Sequence, residues 1–345
     1  MPALALDPLA DPRWTALVER APGGGVFHHP SWIGLLRATY GFPVTACCIG
    51  PDEGPLEAGL PVADVSSRLA GRRLVAVPFS DVCPPLVARN APAGAPAALA
   101  DALDGLCRRR AAPLEVRGAG DVMCGAAPGE RFHHHLLALG PDVRDVERRF
   151  AKAQVGRGVR RALREGLRAT VRRDGDALEA FYRLHVATRR RLGVPTQPRR
   201  FILGLRRLFG EGLGFVLLVH RDDRPVAAAV FLTFGDVLTY KYGASDGRFL
   251  HCRPNNLLFR EAIAWGCEHG MRTLDFGRTD HGQDGLRAFK LAWGAEEQEL
   301  RYHHIGEVPH HARSARGRRL LGAVIRRGPP VAGRAIGEVL YRHAA

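Results

Sequence analysis

The chain has 345 residues, 46% hydrophobic and 25% charged. That mixture supports a packed core and excludes a disordered or low-complexity polypeptide. Fifty Lys+Arg against 35 Asp+Glu leave a net charge of +15, a balance that favours a polyanionic partner. Only Lys152, Lys241 and Lys290 are lysines; every other basic residue is arginine.

In chain order, the segment Met1–Arg13 lacks the basic start and apolar run of a signal peptide. No stretch approaches the ~18 apolar residues of a membrane span. Seven cysteines, none in a Cys-x-x-Cys pair, fit no zinc ligand set. These features set the expectation of a cytoplasmic protein with reduced thiols and no metal.

A helix is expected at Ser31–Tyr40, strands at Val44–Ile49, Leu60–Ser66 and Leu74–Val77, and an alanine-rich helix at Ala95–Arg110. Strands follow at Leu114–Arg117 and His134–Leu139. Gly140-Pro141-Asp142 then punctuates, and a basic stretch that reads as helical comes next. The second half repeats the alternation. Helices are expected at Ala177–Leu192 and Arg199–Phe209, and strands at Gly214–His220, Val226–Thr233 and Val237–Tyr242. After them come helix Asn255–His269, strand Thr273–Phe276, helix Gly285–Trp293 and strand Glu299–His304. The reading is an α/β protein of two similar domains, 1–140 and 141–306, and a basic helical tail, 307–345.

The charge is not spread evenly. Between Arg144 and Arg173 eleven basic residues face three acids, and from Ala312 onward eight face one, so two segments hold the whole excess of +15. Localised charge of this kind is the footprint of phosphate binding, or else a solvated helix face. Arg157, Arg160, Arg161 and Arg164 are the candidate nucleic-acid contacts. The tail, with Leu320, Leu321, Val324 and Ile325 among arginines, reads either as a packed helix or as a peripheral contact with the inner membrane surface.

The most specific stretch runs from Tyr240 to Tyr302. It contains Y-K-Y-G-A-S-D (Tyr240–Asp246), R-P-N-N-L-L (Arg253–Leu258), D-F-G-R-T-D (Asp275–Asp280), G-L-R-A-F-K-L-A-W-G (Gly285–Gly294) and L-R-Y (Leu300–Tyr302). With F-H-H-P-S-W at Phe27–Trp32 and V-P-F-S-D at Val77–Asp81, this pattern resembles the Fem family of peptidyltransferases, similar in fold to GNAT-type N-acyltransferases. The resemblance covers Phe27 to Tyr302 and is densest in the last quarter. It implies two GNAT-like domains with mixed, largely antiparallel sheets flanked by helices. It further implies aminoacyl transfer from aminoacyl-tRNA to an amine-bearing acceptor such as a cell-wall precursor, without a cofactor. Phe289 and Lys290 match the family's F-K pair, which implies a place beside the donor's reacting ester.

The chemistry supplies roles for the residues. When an amine attacks an ester an oxyanion develops, and a fixed ammonium such as that of Lys290 stabilises it. Asp280 is a candidate proton acceptor or a turn cap, and Arg278 a grip for phosphate or carboxylate. Lys241, alternating with Tyr240 and Tyr242 on a strand, either faces solvent or joins a substrate cleft; Tyr242 is a further candidate contact. Arg248, Arg253 and Asn255 surround a helix start that attracts phosphate. The glycine-rich CoA loop of acetyltransferases is missing at Ser245–Asn256. An acyl-CoA-dependent N-acyltransferase in envelope or exopolysaccharide synthesis is therefore the alternative, and a non-catalytic RNA- or membrane-binding protein the third reading. Adjacent histidines at 28–29, 133–135, 303–304 and 310–311 lack a matching ligand pattern.

Overall fold

The structure, a computed structural model, describes residues 2–67, 71–118, 127–306 and 315–343. The chain divides into two units: Met1–Phe132 with Glu299–Ala312 and Tyr341–Ala345, and His133–Gln298 with Arg313–Leu340.

The first unit runs β1 (Ala3–Leu6), α1 (Pro12–Arg20), α2 (Pro30–Tyr40), β2 (Val44–Ile49), β3 (Ala58–Ser67), β4 (Gly71–Val75), β5 (Leu86–Val87), α3 (Ala95–Arg110), β6 (Leu114–Arg117) and β7 (Ala127–Ala138). β7 continues into the second unit. Neighbouring strands are antiparallel except β4 and β6, which run parallel. Asp11 opens α1 by accepting from Arg13 N–H, with Pro12 at the first helical position. α3 lays Leu99 and Leu103 on Ile49, Leu60 and Leu114 of the sheet. Burying each such leucine stabilises the unit by about 1.5–3 kcal/mol.

The second unit adds α4 (Val143–Glu147), a π-helical turn (Lys152–Gly156), α5 (Arg157–Arg164), β8 (Leu167–Arg172), α6 (Gly175–Leu192), α7 (Arg199–Gly204), α8 (Arg206–Gly210), β9 (Gly214–Arg221), β10 (Arg224–Phe234) and β11 (Val237–Ser245). It continues with a 3-10 turn (Gly247–Cys252), α9 (Pro254–Glu268), β12 (Thr273–Asp280), α10 (Asp284–Leu291), β13 (Glu296–Ile305), α11 (Ala315–Arg327) and α12 (Pro330–His343). β13 passes back into the first unit at Glu299, where it pairs antiparallel with β6. Strand order in the second unit is β7-β12-β11-β10-β9-β8, with β11 and β12 parallel and β8 to β11 antiparallel. Its core joins Phe215, Leu217, Phe231 and Leu274 of the sheet to Phe259 and Ile263 of α9 and to Trp293. The expected mixed, largely antiparallel α/β architecture is the observed one.

Three expectations need correction. The basic stretch is not one helix: α5 stops at Gly166, whose φ of +75° favours glycine, and the remainder is strand β8. Leu167, Ala169 and Val171 alternate inward from Arg168, Thr170 and Arg172, a period of two that the arginine density hid. The expected helix Arg199–Phe209 is two short helices, broken at Leu205.

The third correction concerns Lys241, which does not simply face away from both tyrosines. Val230 pairs with Tyr242 and Phe231 with Tyr240, so Lys241 is the extra residue of a β-bulge. The bulge sends Tyr240 onto Phe259 of α9 and Tyr242 toward His185 of α6 and Phe201 of α7.

The tail packs on the second unit. Thr196 N–H donates to Gly333 O, and a Cβ on Gly337 would lie 1.8 Å from Thr196 O, so only glycine permits that approach. No helix among the described residues is long and apolar enough to cross a membrane. Cys47, Cys48, Cys83, Cys107, Cys252 and Cys267 are buried thiols; Cys124 and His310–His311 lie outside the described residues.

Candidate active site

The D-F-G-R and F-K motifs, separate in sequence, interlock in space. Gly277 sits inside β12 with φ +71°, a left-handed step that glycine takes without a Cβ penalty. Asp275 Oδ1 fixes that step by accepting Gly277 N–H at 2.7 Å, and it also accepts His134 Nε2–H at 2.7 Å. Turned by the kink, the carbonyls of Gly277 and Arg278 both accept from the Lys290 ammonium, at 2.8 and 3.0 Å. Lys290 is only 2% exposed. Its neighbour Phe289 packs on Phe259 and Trp293, so consecutive residues of α10 carry the core contact and the buried charge. The helix ends at Leu291, and the turn after it closes at Gly294 (φ +77°), where a Cβ would lie 2.9 Å from Arg149 Cβ.

β11 and β12 part at this level. Their parallel pairing runs from Val237–Thr273 to Thr239–Asp275 and ends there, although β11 continues to Ser245 and β12 to Asp280. The bulge at Lys241 and the kink at Gly277 lie just beyond the last pair. Beyond the last pair the β11–β12 ladder is interrupted while both strands continue, and an interrupted ladder is a place where an extended ligand can pair.

Around this gap the structure places the other expected residues unequally. Arg278 and Asp280 stand on the far end of β12, with Arg278 Nε 4.0 Å from Asp280 Oδ1. Exposed Asp280 also accepts from Gln283 Nε2 at 3.2 Å, so it ties the turn into α10. The Lys241 ammonium lies 5.4 Å from the Tyr242 ring centroid. Burial pushes the Tyr240 phenol up to about 12, and a Cβ on Gly243 would fall 2.0 Å from its hydroxyl.

Arg248 is engaged by Asp246, at 2.7 Å, which also holds Arg224 at 3.1 Å. Arg253 adopts φ +61° ahead of α9, whose first turn has Pro254 and no side-chain cap; Asn255 is half-buried in that turn. Arg157, Arg160, Arg161 and Arg164 are exposed on α5 at spacings that form one stripe. Arg161 approaches Glu165 at 3.7 Å.

One cluster was not anticipated. Alternation along β7 sends His133 and His135 to Glu297, at 3.1 and 3.0 Å, while His134 takes the opposite face to Asp275. Arg287 grips Glu297 with two bonds, at 2.6 and 2.8 Å, and holds its carboxyl down at about 2. Burial, reinforced by the nearby Lys290 charge, lowers His135 to about 4, so its neutral ring donates Nε2–H to Glu297. The only sequence signal was the His-His-His run, whose partners lie more than 140 residues away. Among the described residues no group of three or more His, Cys, Asp or Glu is arranged to hold a metal.

Comparison with known proteins places this geometry. Residues 149–291 match the acetyltransferase (GNAT) domain family. The lipid II:glycine glycyltransferase of Staphylococcus haemolyticus is 34% identical over 85 residues, 23% of this chain and 20% of that protein. The enzyme of the same name from Staphylococcus aureus is 35% identical over 81 residues, 22% of this chain and 19% of its own length. The chain thus matches about a fifth of the length of these curated relatives. The FemX crystal structure superposes with a TM-score of 0.66 at 16% identity, covering 87% of this chain and 97% of that one. A tandem GNAT protein from the clavulanic acid pathway superposes at 0.51 and 12% identity, over 89% of this chain and all of that one. At such identities the superpositions show the fold. The chain is therefore a GNAT-fold protein with local sequence similarity to the Fem-type glycyltransferases.

Proposed function

We propose that this protein transfers an aminoacyl group from aminoacyl-tRNA to the amine of a cell-wall precursor, forming an amide. The observation that carries the reading is the interruption of the β11–β12 ladder beside the Lys290 anchor. An extended donor can pair there with main-chain groups, its ester at the kinked end of β12. The sequence similarity to lipid II:glycine glycyltransferases supports the acceptor class, and the exposed arginine stripe of α5 supports the tRNA donor.

In this reaction the acceptor nitrogen bonds to the ester carbon, the carbonyl oxygen becomes an oxyanion, and the ribose oxygen leaves with its electron pair. Lys290 supplies positive potential for the oxyanion and keeps Gly277 and Arg278 in position. Asp280 takes the proton released by the attacking amine, and the departing ribose oxygen is protonated in turn. Phe289 shapes the donor pocket. Arg278 holds an acceptor carboxylate or phosphate, Lys241 and Tyr242 line the opposite side of the gap, and Arg248, Arg253 and Asn255 meet donor phosphates at the start of α9. Arg157, Arg160, Arg161 and Arg164 contact the tRNA backbone.

Transfer of label from aminoacyl-tRNA to an amine acceptor is the expected outcome, with Lys290→Ala lowering kcat by about 100-fold at similar donor affinity. The second reading, acyl-CoA as donor, is favoured by the GNAT domain match and the uncapped start of α9. Acceptor-dependent loss of label from acyl-CoA, and none from aminoacyl-tRNA, would replace the first reading by the second.

A further inference from the structure

The docked tail creates a cavity richer in positive charge than its neighbours neutralise. α6, α7, α11 and α12 line an open space of about 770 Å³. Arg183, Arg190, Arg191, Arg199, Arg326 and Arg334 surround it, and Glu179 is the acid in the lining. Glu179 is occupied by Arg199, and Arg191 donates to Ser245 O at 3.1 Å. Among the described residues Arg183, Arg190 and Arg326 form no ion pair. Arg190 Nε is buried without a hydrogen-bond partner. The Arg334 guanidinium stands 6.0 Å from the ring centroid of buried Tyr182.

Guanidinium groups gathered around one space repel each other. A multivalent oxyanion removes that repulsion, and planar guanidinium forks fit phosphate oxygens. The volume exceeds what a single phosphate fills. Val186, Ala187 and Pro330 add apolar wall, which suits the body of a larger phosphate-bearing molecule. We propose that this cavity binds a diphosphate group, held by Arg183, Arg190, Arg326 and Arg334, at a site separate from the gap between β11 and β12.

Calorimetric titration of the full chain with inorganic pyrophosphate and with monophosphate tests it. Pyrophosphate is expected to bind at least ten-fold more tightly than monophosphate. The Arg183→Gln/Arg334→Gln double variant is expected to lose at least ten-fold of that affinity, and an Arg160→Gln/Arg164→Gln variant to keep it. A thermal-melting arm guards against misfolding: pyrophosphate raises the Tm of the wild type and leaves that of the cavity variant where it was. Sedimentation with phosphatidylcholine vesicles containing diacylglycerol pyrophosphate separates the sources. Vesicle binding that pyrophosphate competes away assigns the site to a lipid headgroup; pyrophosphate binding without vesicle binding assigns it to a soluble diphosphate. Absence of saturable pyrophosphate binding, equal weakening in the α5 variant, or displacement of pyrophosphate by tRNA with RNA binding lost in the cavity variant would each overturn the proposal.

Discussion

Replacing Lys290 by methionine removes an ammonium while keeping most of the side-chain volume, so packing beside Phe289 and Trp293 is little disturbed. Two hydrogen bonds disappear, to Gly277 O and Arg278 O at 2.8 and 3.0 Å. Bonds to a charged donor contribute about 1.5–3 kcal/mol each, so the gross loss is about 3–6 kcal/mol. Against this, the variant no longer has to desolvate a buried cation, a cost of several kcal/mol that the native fold bears. The balance is a destabilisation of about 2 kcal/mol, because the two carbonyls keep part of their desolvation cost without a donor. For a unit of this size that lowers Tm by about 4–8 °C. Scanning calorimetry reads the shift, and hydrogen exchange should show it concentrated in β12 and α10. Lys290→Arg is not a rescue, since a planar fork does not fit where a compact ammonium meets two adjacent carbonyls. A Lys290→Met variant melting within about 1 °C of the wild type would refute the interlock.

Further outcomes follow from the same structure. Gly337→Ala places a Cβ 1.8 Å from Thr196 O, so α12 must shift. Limited proteolysis should then cleave the tail faster while the melting of the sheet core is unchanged, and equal protection in both proteins would contradict the docking. His28, His135 and His185 are lowered to about 4, about 4 and about 3, chiefly by burial. They stay neutral in the fold where the unfolded chain, titrating near 6.5, takes up protons. Stability from these groups is full above pH 6.5 and is lost as pH falls toward 4, on the order of 3 kcal/mol for each. A Tm that is flat from pH 7 to 4.5 would contradict it. Arg160→Ala/Arg164→Ala should weaken RNA binding and flatten its salt dependence by about two ions' worth; an unchanged slope in filter binding would remove α5 from the RNA interface.

Much of the architecture was legible because it rests on local pattern. Hydrophobic alternation in β9 and β10, Asp11 before Pro12, and the glycines closing α2 and α6 are properties of a few adjacent residues. β1 and α1 carry little local signal, since four alanine and leucine residues and a nine-residue helix give too short a period to recognise. β8 was obscured by arginines on its outer face. The F-K and D-F-G-R segments stood out as motifs, yet their relation did not: that Lys290 hydrogen-bonds the carbonyls of Gly277 and Arg278 follows from a left-handed step that sequence does not display.

The sequence by itself determined that this is a basic α/β protein, that its charge excess lies in two segments, and that one of three lysines falls in the most motif-rich region. The tertiary structure decided what those features do. It divided the first basic segment among α4, a π-helical turn, α5 and β8 and set Arg326 and Arg334 of the second on an arginine-lined cavity. It made Lys241 the extra residue of a bulge and set Lys290 under a kinked strand. It also joined His135 to Glu297 across 162 residues. The physical reason is one of range. Periodicity and capping are set by neighbours along the chain, whereas bulges, interrupted ladders and buried polar pairs arise only when distant strands compete to satisfy each other's main-chain and side-chain groups.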